Sequence, residues 1–447
     1  MTLYLRGLRK SEAGYTLRLP HAFLAFSFLY LVLGNSTRLV PTSPGADNLP
    51  LSEFGLYALT VGCVMFHRKL LLFMLRSLLP FALFLALSSV YGAMLNGFSV
   101  SALFYSVRLV LLVAAGLAAG YYLFTIFRRD LLNVLDYFLV TYLFVALLAF
   151  AIYVMFPDSR DLWSFLRGFG VEFYGDPHQR RLVSSYFDPN YYGAIAVFPF
   201  TLSVLAYQRV WRTRYLLLAG MFAVSVVLTG SRSGIATLAA VVGVFALSGA
   251  AHLITKRRVK RSLLVVVPAA LFLFALASPV YLGALTRTWS RIAEVSTDAS
   301  AQARFSSFEL GFDLFAEQPF FGVGYNYLLI YAQESRGLTS LDSSLQVILV
   351  NFGAVGTLFI AALVISWGVT LWRRLRKSQE CTFARRCLRY FLLYLFVIVA
   401  FASQFNNVLF YQFWLFPVLA LAAYLMRYSA AEVQTSEYAD AVSKSER

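Results

Sequence analysis

Two polar stretches, residues 157–190 and 281–340, interrupt an otherwise apolar chain, and each carries four arginines and no lysine. The first holds Arg160, Arg167, Arg180 and Arg181; the second holds Arg287, Arg291, Arg304 and Arg336. A planar guanidinium matches a diphosphate or carboxylate with two parallel hydrogen bonds, which an ammonium cannot do. The same stretches contain five and six acidic residues, so pairing with a neighbouring acid or a lipid headgroup accounts for any one of these arginines taken singly. Arg232 is a different case. It lies in a short turn between two apolar runs, flanked by Gly230, Ser231, Ser233 and Gly234, with no acid nearby in sequence. A charge at membrane depth is costly and marks a functional site, unless its side chain snorkels to the headgroups. Arg108, within an apolar run, is expected to pair with Asp136 of the next run. Asp342 opens a long apolar segment just after Thr339 and Ser340, which are helix-capping residue types. The helix dipole would stabilise its charge, and a carboxylate there could also act as a general base. Asp188, Pro189 and Asn190 read as a helix-start turn, and Gly353 and Gly356 as positions of close helix packing.

The elements that must position these groups follow from composition. Of 447 residues, 60% are hydrophobic and 13% charged, and many apolar runs approach the length of about 20 residues that crosses a bilayer. Alternation of apolar and polar residues, the mark of a membrane barrel, is absent. The fold class is therefore an all-α polytopic membrane protein forming a single integral membrane domain, residues 1–447. The net charge of +16 does not point to nucleic acid, because the basic residues sit in short blocks between apolar runs, as cytoplasmic loops do. Twelve spans are expected, at about 20–36, 52–66, 70–95, 99–126, 131–156, 191–207, 215–229, 234–252, 262–280, 341–370, 387–403 and 411–426. With both termini inside, all six lysines fall on the cytoplasmic side. Residues 157–190 and 281–340 become the first and the large outside loops, the latter a lid over the bundle. Within the lid, Phe305, Phe308, Phe312 and Phe315 recur at helical spacing after Arg304, predicting an amphipathic surface helix that Pro319 stops. Cys63, Cys381 and Cys387 imply no disulfide framework. His21, His67, His178 and His252 are scattered, and no metal-ligand cluster is visible. The basic N-terminus lacks a small-residue cleavage site, so the first apolar run reads as a retained span.

Four segments together resemble the O-antigen ligase/polymerase superfamily of membrane glycosyltransferases. One runs from Arg181 through Asp188, Pro189 and Asn190 to Gly193, like the family's arginine-then-Pro-Asn element before a span. The second, Leu228 to Gly234, is similar to its Ser-Arg turn. The third runs from Arg304 to Pro319, Gly322 and Gly324, like its arginine, amphipathic helix and Pro-x-x-Gly-x-Gly. The fourth, Asp342 to Gly356, is similar to its polar dyad leading into a Gly-x-x-Gly helix. Aligned on Gly353, ligases of the family carry His-Asn where this chain has Asp342 and Ser343. That departure favours the repeat-unit polymerase branch over the ligases, whose proposed base is the histidine.

The resemblance implies a helical membrane fold of the GT-C-like kind, in the bacterial inner membrane, with its site facing the periplasm. It implies transfer of a glycan from an undecaprenyl-diphosphate carrier to a second lipid-linked glycan, without metal or cofactor. Arg181, Arg232 and Arg304 are carried over as the groups that stabilise the diphosphate leaving group, and Asp342 as the base. Arg180, Arg287, Arg291, Asn190 and Tyr325 are candidate substrate contacts. Tyr186, Phe320, Phe321 and Tyr325 could stack on sugars or simply belong to an interfacial aromatic belt. Membrane lipids and a chain-length regulator are the other expected partners, and no nucleic acid. Two further readings stand beside polymerase: a ligase moving glycan onto lipid A core, and a transporter or flippase for a lipid-linked glycan. The absence of an obvious internal repeat and the scarcity of ionisable residues within the spans disfavour the transporter.

Overall fold

The computed structural model describes residues 18–37, 50–168, 180–256, 299–328, 330–331, 341–377 and 382–445. These residues form helices joined by short turns, with no β-strand among them. In chain order the helices are α1 (Arg18–Leu33), α2 (Leu51–Phe66), α3 (Arg68–Asn96), α4 (Val100–Phe127) and α5 (Leu131–Met155), then the short α6 (Ser159–Arg167). They continue with α7 (Pro189–Val210), α8 (Thr213–Leu228), α9 (Arg232–Lys256), α10 (Ala299–Glu317), α11 (Ser344–Lys377), α12 (Thr382–Val397) and α13 (Gln412–Ser445). Eight helices of the described residues are long and apolar enough to cross a membrane; α2, α8 and α9 are shorter apolar helices. They fall on eleven of the expected spans, and the ninth, about 262–280, lies outside the described residues.

The helix starts follow from local chemistry. Ser99, Asp130 and Asp188 each accept a backbone N–H of the first turn of α4, α5 and α7, and Pro189 occupies the first position of α7, where its missing N–H costs nothing. The interior is built on small residues where helices approach closely. Gly116 and Gly120 of α4 face α13, and a Cβ on Gly116 would stand 2.7 Å from the Leu419 Cβ; Gly120 meets the Ala420 carbonyl. Such a face lets helices pack by van der Waals contact, the main attraction available where lipid is as apolar as the side chains.

One buried charge is paired differently from expectation. Arg108 forms a two-pronged ion pair with Glu53 of α2, Nε to Oε1 at 2.6 Å and Nη2 to Oε2 at 2.8 Å, and also donates to Gln412 Oε1 at 3.0 Å. Glu53 is fully buried and takes further hydrogen bonds from Tyr57 and Gln412. Asp136 instead binds Arg214, at 2.9 Å, and the Tyr215 hydroxyl. α1 and α2 both pack on α4, and the acid facing Arg108 comes from α2 rather than from the helix that follows it in sequence.

The turns sort to two ends of the bundle. At one end Tyr424 donates to the Arg128 carbonyl, Arg129 donates to the Ala431 carbonyl and Arg209 stacks on Phe383. At the other, Asn35 donates to the Tyr186 carbonyl and the Tyr411 hydroxyl, and Tyr191 stacks on Tyr411 with ring centroids 4.1 Å apart. The candidate chemistry is at this second end.

Candidate functional site

Arg181 is positioned by the turn that joins α8 to α9. Its backbone neighbour Leu182 donates to the Leu228 carbonyl at 3.0 Å, tying the two strands of chain together. The guanidinium then reaches the same turn, Nε donating to the Thr229 carbonyl at 2.6 Å, while Nη2 donates to Asn190 Oδ1 at 2.8 Å. Arg232 opens α9 three residues beyond Thr229 and is half-buried. A cation is the wrong charge for a helix start, where the free N–H groups already favour an anion. Arg181 and Arg232 thus meet at the turn before α9, beside the free N–H groups of its first turn. Small residues make the assembly tight: a Cβ on Gly234 would stand 3.1 Å from the backbone of Gly193, on α7.

Arg304 and Asp342 form the second half. Arg304 Nε lies 4.0 Å from Asp342 Oδ2, with the arginine side chain 20% exposed and the carboxylate 47%. Asp342 stands two residues ahead of α11; Ser343 is the residue that caps the helix, its Oγ accepting from Gln346 N at 3.4 Å. Thr339 and Ser340 lie outside the described residues. α10 is held to α11 by Gln346 Nε2 donating to the Phe308 carbonyl at 2.8 Å, and Ser307 Oγ lies within 3.5 Å of Asp342 N. Desolvation raises the Asp342 carboxyl above its ordinary range; the Arg304 charge opposes the shift and the Asp188 charge adds to it. The influence of Asp188, next to Asn190, sets the Asp342 carboxylate within electrostatic reach of the α7 start.

The two halves are joined by the turn between α12 and α13. Asn406 Nδ2 donates to Ser233 Oγ at 2.7 Å, one residue after Arg232. The Asn406 carbonyl accepts from Ser344 Oγ at 3.0 Å, and Ser343 Oγ donates to the Ser403 carbonyl at 3.2 Å. The starts of α9 and α11 therefore share one asparagine. The adjacent Asn407 Oδ1 and the Gln346 Oε1 are buried acceptors with no partner among the described residues. A run of asparagine, Asn406 and Asn407, in a chain this apolar was the available signal.

α11 is not a continuous helix. Gly353 adopts φ 63° and ψ −172°, a conformation essentially restricted to glycine, and breaks the hydrogen-bond ladder. The Pro319-to-Gly324 loop fills the gap. Val323 N and Gly324 N donate to the carbonyls of Val350 and Asn351 at 2.8 and 3.0 Å, and Ala354 N and Val355 N donate to those of Pro319 and Phe320 at 2.8 and 3.1 Å. The expectation that Gly353 serves close helix packing is thus replaced by a backbone role. Gly356, in regular helix, does pack closely, against Phe84.

The aromatic stripe expected on α10 divides. Leu314 and Gly311 are buried and Phe308 and Phe315 partly so, whereas Phe305 and Phe312 are exposed. Phe320 and Phe321 are also exposed, and Phe321 lies 5.8 Å from the Tyr91 ring. Tyr325 is buried with its ring stacked on Phe352 at 5.5 Å, and Tyr186 is buried against Phe413 at 4.8 Å, so both faces used for packing are unavailable to a sugar. Arg180 is exposed, in left-handed backbone with its N–H on the Pro157 carbonyl at 2.7 Å. Arg287, Arg291, Arg336 and most of the loop around them lie outside the described residues.

Residues 216–361 match the family described as O-antigen ligase, consistent with the O-antigen ligase/polymerase superfamily. The matched segment contains Arg232, Arg304 and Asp342; Arg181 and Asn190 precede it. No curated protein matches the chain.

Proposed function

We propose that the chain is a glycosyltransferase that joins lipid-linked oligosaccharide repeat units into a longer surface polysaccharide, at the periplasmic face of the inner membrane. The observation that carries this reading is the 4.0 Å approach of Arg304 to Asp342, one asparagine away from the Arg181 and Arg232 turn. The donor is a glycan on undecaprenyl diphosphate. The bond between its anomeric carbon and the diphosphate oxygen breaks, and the electron pair leaves on the diphosphate. Arg181, Arg232 and Arg304, with the N–H groups opening α9, neutralise that charge as it develops. A hydroxyl of a second lipid-linked glycan forms the new bond and gives its proton to Asp342. A carboxyl raised above its ordinary range is a stronger base than a solvated aspartate, and the nearby Arg304 favours its ionised form. Asn190 and Arg180 flank the donor side.

Asp342 in the place of the family's ligase histidine supports polymerase over ligase. The family description, O-antigen ligase, is the observation favouring the second reading, transfer of finished glycan to lipid A core. The glycans that accumulate in a strain lacking the protein separate these. Single repeat units on the final acceptor are expected. Full-length polymer retained on the carrier lipid would establish the ligase instead, and single units trapped on the cytoplasmic leaflet would establish a flippase.

A further inference from the structure

The end of the bundle remote from Asp342 carries a second arginine cluster that the proposed chemistry does not use. Arg427 lies on α13 about 22 Å along the helix axis from its start at Gln412. Three aromatic rings surround it: its guanidinium carbon stands 4.7 Å from the Tyr121 centroid, 5.4 Å from Phe124 and 5.9 Å from Phe73. Its Nε is buried and finds no hydrogen-bond partner among the described residues. Ring faces attract the cation but leave its in-plane N–H groups unsatisfied. Beside it opens a cavity of about 590 Å³, lined by Phe124, Thr125, Arg128, Arg129 and Arg427. A second cavity of about 300 Å³ is lined by Arg129, Asp130, Arg209, Phe383 and Tyr428 among others.

Arg129 lines both cavities and is anchored to the Ala431 carbonyl at 3.2 Å. The Arg209 guanidinium carbon stands 5.4 Å from the Phe383 ring centroid. The turn carrying Arg128 is fixed by Tyr424, whose hydroxyl donates to the Arg128 carbonyl at 3.0 Å. Asp130, the one acid in either lining, spends its oxygens capping α5 on Asn133, at 3.2 and 2.6 Å. The result is a group of positive side chains with aromatic surface between them, at the end of the bundle remote from Asp342.

We propose that the two cavities form a site for an anionic membrane lipid whose headgroup carries two phosphates, one phosphate in each cavity with Arg129 between them. Basic pockets between spans at the positively charged side of a membrane protein hold such headgroups. Two linked phosphates gain over single ones because the second binds at high effective concentration. A merely basic rim would attract all anionic lipids alike, in proportion to charge.

The test uses the full chain in zwitterionic detergent, titrated with cardiolipin, with phosphatidylglycerol at equal total phosphate, or with inorganic diphosphate, and bound species counted by native mass spectrometry. One cardiolipin should be retained at least about tenfold more tightly than phosphatidylglycerol, and Arg427→Gln should weaken it by about tenfold. Arg427→Lys, which keeps the charge and loses the planar fork, should fall between. Arg128→Gln, at an exposed position, provides the same reading if Arg427→Gln does not fold, and Arg160→Gln, on α6 at the other end of the bundle, should change nothing. Equal retention of the two lipids, or retention unaffected by Arg427→Gln or Arg128→Gln, overturns the proposal. So does displacement of cardiolipin by stoichiometric inorganic diphosphate, which would make this a site for a free anion.

Discussion

Asn406 and Ser233, 173 residues apart in sequence, are joined by a buried 2.7 Å hydrogen bond from Nδ2 to Oγ. The same asparagine accepts from Ser344 through its carbonyl, so the helices that present Arg232 and Asp342 begin against a common residue. Replacing it with leucine removes the side-chain bond to the buried Ser233 hydroxyl, while the backbone carbonyl still accepts from Ser344. Asn406→Leu is expected to destabilise the protein by about 1–3 kcal/mol and to cut chain extension. Ser233→Ala should cost less, and the double variant should fall short of the sum of the two, because both remove one bond. Additive losses of thermal stability in detergent would show that the bond does not couple the helices.

The pH dependence of chain extension tests the role of Asp342. As a base it works ionised, so the rate should rise with pH through its raised pKa, and Asp342→Asn should abolish extension at unchanged protein level. Asp188 raises that pKa, so Asp188→Asn should move the acid limb to lower pH; asparagine still caps α7. Arg304 lowers it, so Arg304→Gln should move the same limb to higher pH while also slowing the reaction. Limbs that stay in place, or move the opposite way, would remove Asp342 from the proton transfer.

Much of this was legible in the sequence, for identifiable reasons. Apolar runs long enough to span have no partner for their backbone except themselves, so those described are helices. Arg304 and Asp342 were singled out through the segments that resemble the family, since Arg304 alone reads as one of four arginines among six acids. Partner choice was not legible. Arg108 was matched to the acid on the following helix, but the helix packed against α4 at that depth is α2, and Glu53 was itself a visible acid at the start of an expected span. Nor does periodicity reveal backbone breaks: Gly353 sits inside an expected span, and its left-handed φ depends on a loop about thirty residues upstream. Asn406 gave no hint of its partner, since a hydrogen bond across 173 residues leaves no local pattern.

The Arg108 pair gives a stability prediction free of any assumption about activity. Glu53→Leu strands a buried guanidinium, which is 15% exposed, and should cost about 3–5 kcal/mol. Adding Arg108→Leu should recover a large part of that loss, measurable as a rise in the thermal unfolding midpoint. If the double variant unfolds no later than Glu53→Leu alone, the charge is being satisfied elsewhere.

Gly353→Ala should be more damaging than Gly356→Ala. At Gly353 a Cβ meets the Phe320 backbone, and alanine disfavours the φ by about 1–3 kcal/mol before that clash is counted. At Gly356 the Cβ meets the Phe352 Cβ at 2.6 Å and the Phe84 ring at 2.9 Å, and the backbone is ordinary helix. Comparable unfolding midpoints for the two variants would count against a broken α11.

Arg181→Lys should behave nearly as Arg181→Ala in chain-extension assays, losing most activity. The Thr229 carbonyl and Asn190 Oδ1 are held by Nε and Nη2 of one planar group, which a single ammonium cannot reach together. Retention of most activity by the lysine variant would mean that only the charge matters there.

The break in α11 has a mechanical consequence. The Pro319-to-Gly324 loop holds α11 on both sides of the break, through the Val350 and Asn351 carbonyls before it and the Ala354 and Val355 amides after it, and the remainder of α11, to Lys377, is long enough to tilt in a bilayer. When a membrane thins or thickens, long spans adjust their slope. Because the loop is bonded on both sides of Gly353, the angle of the break cannot change without parting backbone hydrogen bonds, so a change in the slope of α11 carries the Pro319-to-Gly324 loop with it.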